Sequence, residues 1–174
     1  AVVSKAVVDN AALFQIKDLS LLVACAFNLG PQGETMFRAL MKFLRSCVAT
    51  ASIEELNDIA KAAVRTQTRD LIFAGEILDR FRRVFNPEDC GVALTILEHL
   101  DGARLFGNVP NDIFRMMEPP CSKDGQLAFR LLTLGATNDV TFSMALLKQV
   151  KASNSNPLVP WLVLSATGTQ VDKD

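Results

Sequence analysis

Few residues in this chain could perform acid–base or nucleophilic chemistry, and they are widely spaced. The one histidine, His99, lies in the run Ile-Leu-Glu-His-Leu, and either Cys90 or Cys121 could pair with it in space as a nucleophile. A histidine between leucines at helical spacing is also typical of a surface or core residue without catalytic function. No Gly-x-Ser-x-Gly, P-loop, Gly-x-Gly-x-x-Gly or His-Glu-x-x-His pattern is present. The sequence therefore predicts a protein that is not an enzyme and has no small-molecule substrate.

Metal ligands are equally sparse. No two of the four cysteines are close enough in sequence to form a Cys-x-x-Cys pair. Two acidic pairs stand at predicted helix starts: Glu54 with Glu55, and Glu88 with Asp89. The helix dipole explains acidic residues at such positions. We therefore expect no metal and no cofactor. Cys25 and Cys47 lie in apolar helical segments, which favours reduced cysteines in a reducing intracellular compartment.

Composition indicates a folded domain rather than a disordered or membrane-spanning chain. Of the 174 residues, 49% are hydrophobic and 21% are charged, and the formal net charge is -1. Any nucleic-acid contact must therefore come from a local basic patch. The longest apolar runs are broken well before the roughly 20 residues that a membrane helix needs, so we predict no membrane span. Ala1 fits either a mature form that has lost a targeting segment or a trimmed chain.

Helical periodicity dominates the chain and falls into paired segments. The first predicted helix begins at a capping Asp18 and stops at Gly30-Pro31, where a second helix follows after a tight turn. Ser52 and Glu55 have the spacing of a capping box before the next apolar stripe. Gly107 and Pro110 interrupt the expected second helix of the third pair. A fourth pair begins near Lys123, and its second helix is predicted over 139–150.

Equivalent apolar positions recur at nearly constant intervals. Leu19 and Leu56 are 37 residues apart, as are Leu22 and Ile59, whereas the next interval is 34 residues. These intervals fit an all-α array of stacked antiparallel helical hairpins resembling an α-solenoid. The alternative is a non-repetitive helical bundle with loosely similar spacing. We predict seven or eight helices in a helical-repeat domain over residues 1–151, followed by an extended tail over 152–174.

Positive charge is concentrated in the middle of the chain. Between Arg38 and Arg83 there are nine basic and six acidic residues, whereas the remainder is acidic overall. Arg38, Lys42 and Arg45 share one helix face because they are spaced i, i+4, i+7. The residues predicted to bind RNA or another partner are Arg38, Lys42, Arg45, Arg65, Arg69, Arg80, Arg82 and Arg83. The alternative is an ordinary solvated helix face.

The tail contains the single tryptophan, Trp161, between Pro160 and Leu162. Tryptophan is favoured at the centre of protein interfaces, so Trp161 is a candidate partner anchor. The alternative is that Trp161 docks onto the last hairpin of the same chain.

One segment, Asp18–Gly30, resembles the first helix of the heptatricopeptide and octotricopeptide repeats of organellar proteins. The similarity lies in the Leu-Ser start, the Ala-x-Ala-Phe centre and the Leu-Gly end, and the whole resemblance covers residues 15–150. Further matching positions are Met36, Phe37, Ala39 and Leu40 of the second helix, the Phe85–Asp89 lead-in, and, more loosely, Ile53, Leu56, Ile59 and Ala63. The resemblance implies RNA binding, RNA processing or a structural place in an organellar ribosome. Nothing resembles the terminal nuclease-like domain that often accompanies these repeats, which favours the structural role.

Two functional hypotheses follow. The first is a structural subunit of an organellar ribonucleoprotein, such as a mitochondrial ribosome in the matrix, which contacts ribosomal RNA through the basic face and neighbouring proteins elsewhere. The second is a protein-binding adaptor, or an accessory subunit at the periphery of another large complex such as a respiratory complex. A salt series separates them, because contacts to RNA phosphates weaken steeply as salt rises.

Overall fold

The described part of the chain is helical, as predicted. The computed structural model describes residues 2–64, 70–102, 109–136, 142 and 144–153, and no β-strand occurs in these ranges. The α-helices of this part are α1 (Val2–Asp9), α2 (Ile16–Asn28), α3 (Glu34–Cys47), α4 (Ile53–Val64), α5 (Leu71–Val84), α6 (Cys90–Gly102), α7 (Asn111–Cys121), α8 (Gly125–Ala136) and α9 (Met144–Ser153). Short 3-10 helices cover Ala11–Leu13, Gly30–Gln32, Val48–Thr50 and Pro87–Asp89.

The prediction of seven or eight helices was wrong, because the described ranges alone contain nine. Helix α1 was missed because its valines are weak helix formers, so local propensity gives little signal. Packing of α1 against α3, with Val7 and Val8 against the core, supplies the missing stabilisation. Helix α7 begins immediately after Pro110, which precedes the helix instead of interrupting it. Helix α9 spans Met144–Ser153, and Phe142 is not helical, so the predicted helix over 139–150 was wrong at this position. The predicted start at residue 139 lies outside the described residues.

Four helices pack side by side and supply half of the buried hydrophobic residues of the described part. Helix α4 contacts both α2 and α6, and α6 also contacts α8. The remaining long helices lie against this row: α3 packs on α2, α5 on α4, α7 on α6 and α8, and α9 on α8. The fully buried side chains of the row include Leu19, Val23, Leu56, Ile59, Leu94, Leu97, Ala128 and Leu131. Each helix of the row therefore buries an apolar stripe against its neighbours.

The turn between α2 and α3 follows the predicted stop signal. Helix α2 ends at Asn28, and Gly30 has a φ of 58°, a left-handed conformation that favours glycine. Pro31 then fixes the backbone of the 3-10 turn that leads into α3. This turn brings α3 back alongside α2.

Two helix starts are capped as their sequences suggest. The Ser52 amide donates to Glu55 Oε2 at 2.8 Å and the Glu55 amide donates to Ser52 Oγ at 3.3 Å, which confirms the capping box. Asp70 caps α5 by accepting from the Phe73 amide at 2.9 Å. The prediction that Asp18 caps α2 was wrong, because the helix begins at Ile16 and Asp18 lies within its first turn.

Removing the capping hydroxyl of Ser52 should destabilise the protein modestly. We expect Ser52→Ala to lower the free energy of unfolding by about 1 kcal/mol, since the amide of Glu55 loses its acceptor. Ser46→Ala is the matched control, because its hydroxyl bonds the Phe43 carbonyl inside α3 and caps no helix start. Urea unfolding followed by circular dichroism measures both. Equal stability of the two variants would contradict the capping role.

Candidate binding cleft

An open cleft of about 530 Å³ lies between α3 and α5, and much of its lining is basic. It is lined by Lys42, Arg45, Ser46, Val48, Ala49, Glu76, Asp79, Arg80 and Arg83. Four cations therefore face two carboxylates. The structure brings together four of the eight basic residues predicted from the sequence, and these come from two helices that are distant in sequence.

Arg45 is held by Glu76 of α5 and by Asp70, which caps that helix. Its Nε and Nη2 atoms each donate to Glu76 at 2.8 Å, and Nη1 lies 3.4 Å from Asp70. Hydrogen bonding to Glu76 raises the pKa of Arg45, so its charge is permanent. The guanidinium also lies over the ring of Phe73, 5.7 Å from the ring centroid. Arg45 therefore ties α3 to α5 and has little donor capacity left for a ligand.

Lys42, Arg80 and Arg83 are better placed to meet a ligand. Lys42 and Arg83 are exposed, and neither forms a salt bridge with any described residue. Arg80 donates from Nε to the Ala51 carbonyl at 2.9 Å, which orients its guanidinium. The two carboxylates of the cleft already have arginine partners, Glu76 with Arg45 and Asp79 with Arg82. The cleft consequently presents a local excess of positive charge.

Arg38 and Arg82 lie outside the cleft lining. Arg38 is 77% exposed and pairs with Glu34 one turn earlier in α3, an arrangement that contributes little to stability. Arg82 makes a fork with Asp112 of α7, with Nε 2.7 Å and Nη2 3.2 Å from the carboxylate oxygens. That hydrogen bond raises the pKa of Arg82 and lowers the pKa of Asp112. Arg82 thus links α5 to α7.

Three of the predicted binding residues lie outside the described residues: Arg65, Arg69 and Trp161. The predicted tail, residues 152–174, overlaps the described part at the end of α9, which extends to Ser153.

Sequence reasoning missed a series of arginine–carboxylate forks between neighbouring helices. Beside the Arg45 and Arg82 forks, Arg130 of α8 donates to both Glu98 oxygens of α6, at 2.8 and 2.7 Å, and to Thr95 Oγ1 at 2.9 Å. Hydrogen bonding to Glu98 raises the pKa of Arg130. Bidentate pairs of this kind add geometric specificity to packing. The forks therefore link alternate helices of the chain: α3 to α5, α5 to α7 and α6 to α8.

A close pair of thiols was also missed. Cys90, the first residue of α6, and Cys121, the last residue of α7, place their Sγ atoms 2.7 Å apart inside the core. Both cysteines occupy positions in the apolar stripes of their helices. In an antiparallel hairpin, the start of α6 lies beside the end of α7. That coincidence in a predicted hairpin is the signal from which the pair could have been found.

His99 lies in the same helix as Cys90, nine residues later in the sequence. Its Nε2 atom is buried and has no hydrogen-bond partner in the described part of the chain. Burial lowers the pKa of His99, and the charge of Lys61 acts in the same direction. The described residues contain no group of three or more His, Cys, Asp or Glu suited to holding a metal.

Comparisons of the chain with protein-family models, curated proteins and solved structures find no match in any of the three. Among the helices of the described residues, none combines the length and apolar character that crossing a membrane requires.

Proposed function

We propose that this chain is a non-catalytic structural subunit of an organellar ribonucleoprotein, with a mitochondrial ribosome in the matrix as the leading candidate. In this proposal the cleft between α3 and α5 contacts backbone phosphates of ribosomal RNA, while other surfaces contact neighbouring proteins. The observation that carries the proposal is the local excess of cations in the cleft. The resemblance of residues 15–150 to the helical repeats of organellar proteins supports a location in an organelle.

The chemistry of the cleft suits phosphates better than base edges. Lys42 offers a compact ammonium, and the guanidinium groups of Arg80 and Arg83 can each donate two hydrogen bonds to a phosphate. Such contacts position a protein on RNA without reading its sequence. Arg45 has a supporting role, because its fork with Glu76 holds α3 beside α5 and so keeps the three cations on one surface.

We also propose that the helices form a solenoid-like array of antiparallel hairpins. Positions 37 residues apart are buried alike in the first two units: Leu19 with Leu56, Val23 with Ala60, Leu40 with Ile77, and Leu44 with Phe81. An interval of 34 residues then relates α4 to α6 and α6 to α8, as in Ala60, Leu94 and Ala128. One pair departs from this match, since Leu22 is half-buried and Ile59 is fully buried. An array of this kind would present α3 and α5 side by side.

The RNA proposal is tested by reversing two exposed charges of the cleft. We expect Lys42→Glu/Arg83→Glu to weaken binding of an unstructured RNA oligonucleotide and to reduce the slope of log affinity against log salt by about 2. The matched control is Lys17→Glu/Lys123→Glu, which makes the same change in net charge at exposed positions outside the cleft. Fluorescence anisotropy between about 50 and 200 mM salt measures both.

The control variant should bind RNA with nearly the salt slope of the wild-type protein, and both variants should keep their helical circular dichroism. If the two variants weaken RNA binding equally, the affinity depends on net charge alone. That result would overturn the cleft as the binding site. Salt-independent affinity of the wild-type protein would overturn RNA phosphate binding altogether.

A second candidate function is a protein-binding adaptor at the periphery of another large complex, such as a respiratory complex. It is favoured by the exposed apolar start of α5, where Leu71 is 57% and Ile72 is 71% exposed. Contiguous exposed apolar surface is a feature of protein interaction sites when it forms a large patch. The acidic residues in the cleft are also compatible with a protein partner.

The composition of the complex that co-purifies with the native protein separates the two functions. The adaptor predicts that Leu71→Ser/Ile72→Ser removes the co-purifying proteins while Lys42→Glu/Arg83→Glu retains them. The ribonucleoprotein subunit predicts that the cleft variant loses ribosomal RNA and ribosomal proteins together.

A further inference from the structure

The pair of thiols between α6 and α7 lies in a buried, closely packed environment. Cys90 is 3% exposed and Cys121 is fully buried, and their sulfur atoms are 2.7 Å apart. A covalent bond requires the two sulfur atoms to approach by only about 0.7 Å more. The other two cysteines differ, since Cys25 is exposed and Cys47 is half-buried, and neither has a sulfur partner among the described residues.

The positions of the two cysteines in the fold give such a bond a consequence. Cys90 opens α6 and Cys121 closes α7, so a bond joins the ends of the two helices that lie away from their connecting segment. Helix α7 is already held near its start by the fork between Asp112 and Arg82. A bond at Cys121 would fix its other end, so that α7 would be held to α5 near its start and to α6 at its end.

We propose that Cys90 and Cys121 form a reversible disulfide in response to a peroxide, which makes this pair an oxidative modification site that locks α7 in place. Their burial favours a small oxidant such as hydrogen peroxide, because a bulky disulfide reagent could not reach the sulfur atoms without opening the core. The inference is independent of the RNA-binding proposal.

The chemistry assigns different roles to the two sulfur atoms. The hydrogen bond with Cys121 lowers the pKa of the Cys90 thiol, and the charge of Arg130 acts in the same direction. The Cys90 thiolate attacks one oxygen of hydrogen peroxide, the O–O bond breaks, and the departing hydroxide takes up a proton to become water. Cys90 is then a sulfenic acid.

The second step completes the bond. Cys121 Sγ attacks Cys90 Sγ, the S–O bond breaks, and the thiol proton of Cys121 leaves with the hydroxide as a second water. Two thiols are oxidised and one peroxide is reduced to two waters. A dithiol reductant such as dithiothreitol reverses the reaction by thiol–disulfide exchange.

The test uses the full chain carrying Cys25→Ser and Cys47→Ser, so that the pair contains its only thiols. The folded protein is treated with hydrogen peroxide, quenched with catalase, denatured and alkylated. We expect a mass lower by two hydrogen atoms, no alkylation, and a tryptic peptide pair joined through Cys90 and Cys121. The melting temperature should rise on the order of 5–10 °C, because the bond closes a loop of about 30 residues in the unfolded chain. Dithiothreitol should reverse both changes.

Cys90→Ala and Cys121→Ala in the same background serve as controls, and neither should show a melting temperature that changes with peroxide and then dithiothreitol. The decisive measurements are the cross-link and the melting temperature of the protein that retains both thiols. These measurements remain valid even if a control variant folds poorly. Two alkylatable thiols after peroxide treatment, or oxidation of Cys90 to a sulfinic acid without a cross-link, would overturn the proposal. A cross-link that leaves the melting temperature unchanged would overturn the locking of α7.

Discussion

Replacing Phe81 with alanine is expected to lower the free energy of unfolding by about 3–5 kcal/mol. Phe81 is fully buried in α5, and its ring stacks on Phe85 with centroids 5.5 Å apart. The substitution removes the apolar area that Phe81 buries and leaves a cavity that neighbouring side chains fill only in part. Because α5 also carries Arg80 and Arg83, its packing decides whether the cleft exists.

Urea unfolding of Phe81→Ala measures this effect as a lower transition midpoint at an unchanged slope. Ile72→Ala is the matched control, since it truncates an apolar residue of the same helix that is 71% exposed, and its effect should stay within about 0.5 kcal/mol. A loss below about 1 kcal/mol for Phe81→Ala would show that α5 is not docked as the structure describes.

The helices of the core row were predictable because their signal is local. In the predicted stripe of α4, Leu56, Ile59, Ala60 and Ala63 are buried, whereas Val64 at the end of the helix is half-buried. Helix α1 was not predictable in the same way, since its stability comes from packing on α3 rather than from its own valine-rich sequence. The local sequence pattern therefore predicts the helices that form the core better than it predicts helices, such as α1, that depend on packing against the core for their stability.

The candidate cleft was predictable only in part. The i, i+4, i+7 spacing placed Arg38, Lys42 and Arg45 on one face of α3, but spacing within one helix says nothing about the partners of that face. Arg45 meets Glu76, a residue 31 positions later in the sequence. Such a contact depends on the register in which α3 and α5 pack, which tertiary packing sets and local sequence does not.

This contact changes which experiment is informative. Reversing Arg38, Lys42 and Arg45 together would place a new carboxylate beside Glu76 and Asp70, where Arg45 now offsets both charges. The resulting repulsion would disturb the packing of α3 on α5, so a loss of RNA binding would not distinguish a lost ligand contact from a displaced helix. Lys42→Glu/Arg83→Glu avoids this ambiguity because both residues are exposed and neither forms a salt bridge with a described residue.

The turn that positions α3 leads to a second large effect. Gly33 is buried at the start of α3, and a Cβ atom there would overlap the carbonyl oxygen of Ala26 and lie 2.9 Å from Leu29 Cβ. A backbone carbonyl cannot rotate away as a flexible side chain would. We expect Gly33→Ala to lower the free energy of unfolding by about 1–3 kcal/mol through this overlap.

Gly75→Ala supplies a control of opposite sign for Gly33→Ala. A Cβ at Gly75, inside α5, meets nothing within 4 Å, so alanine there should raise the free energy of unfolding by about 0.5–1 kcal/mol through its better helix propensity. Urea unfolding of the two variants compares the same chemical change in two environments. Stabilisation by both would mean that α2 and α3 are less closely packed at this turn than the structure describes. Destabilisation by Gly33→Ala alone would identify close packing, rather than backbone conformation, as the reason that glycine is needed there, since the φ of −92° at Gly33 is open to any residue.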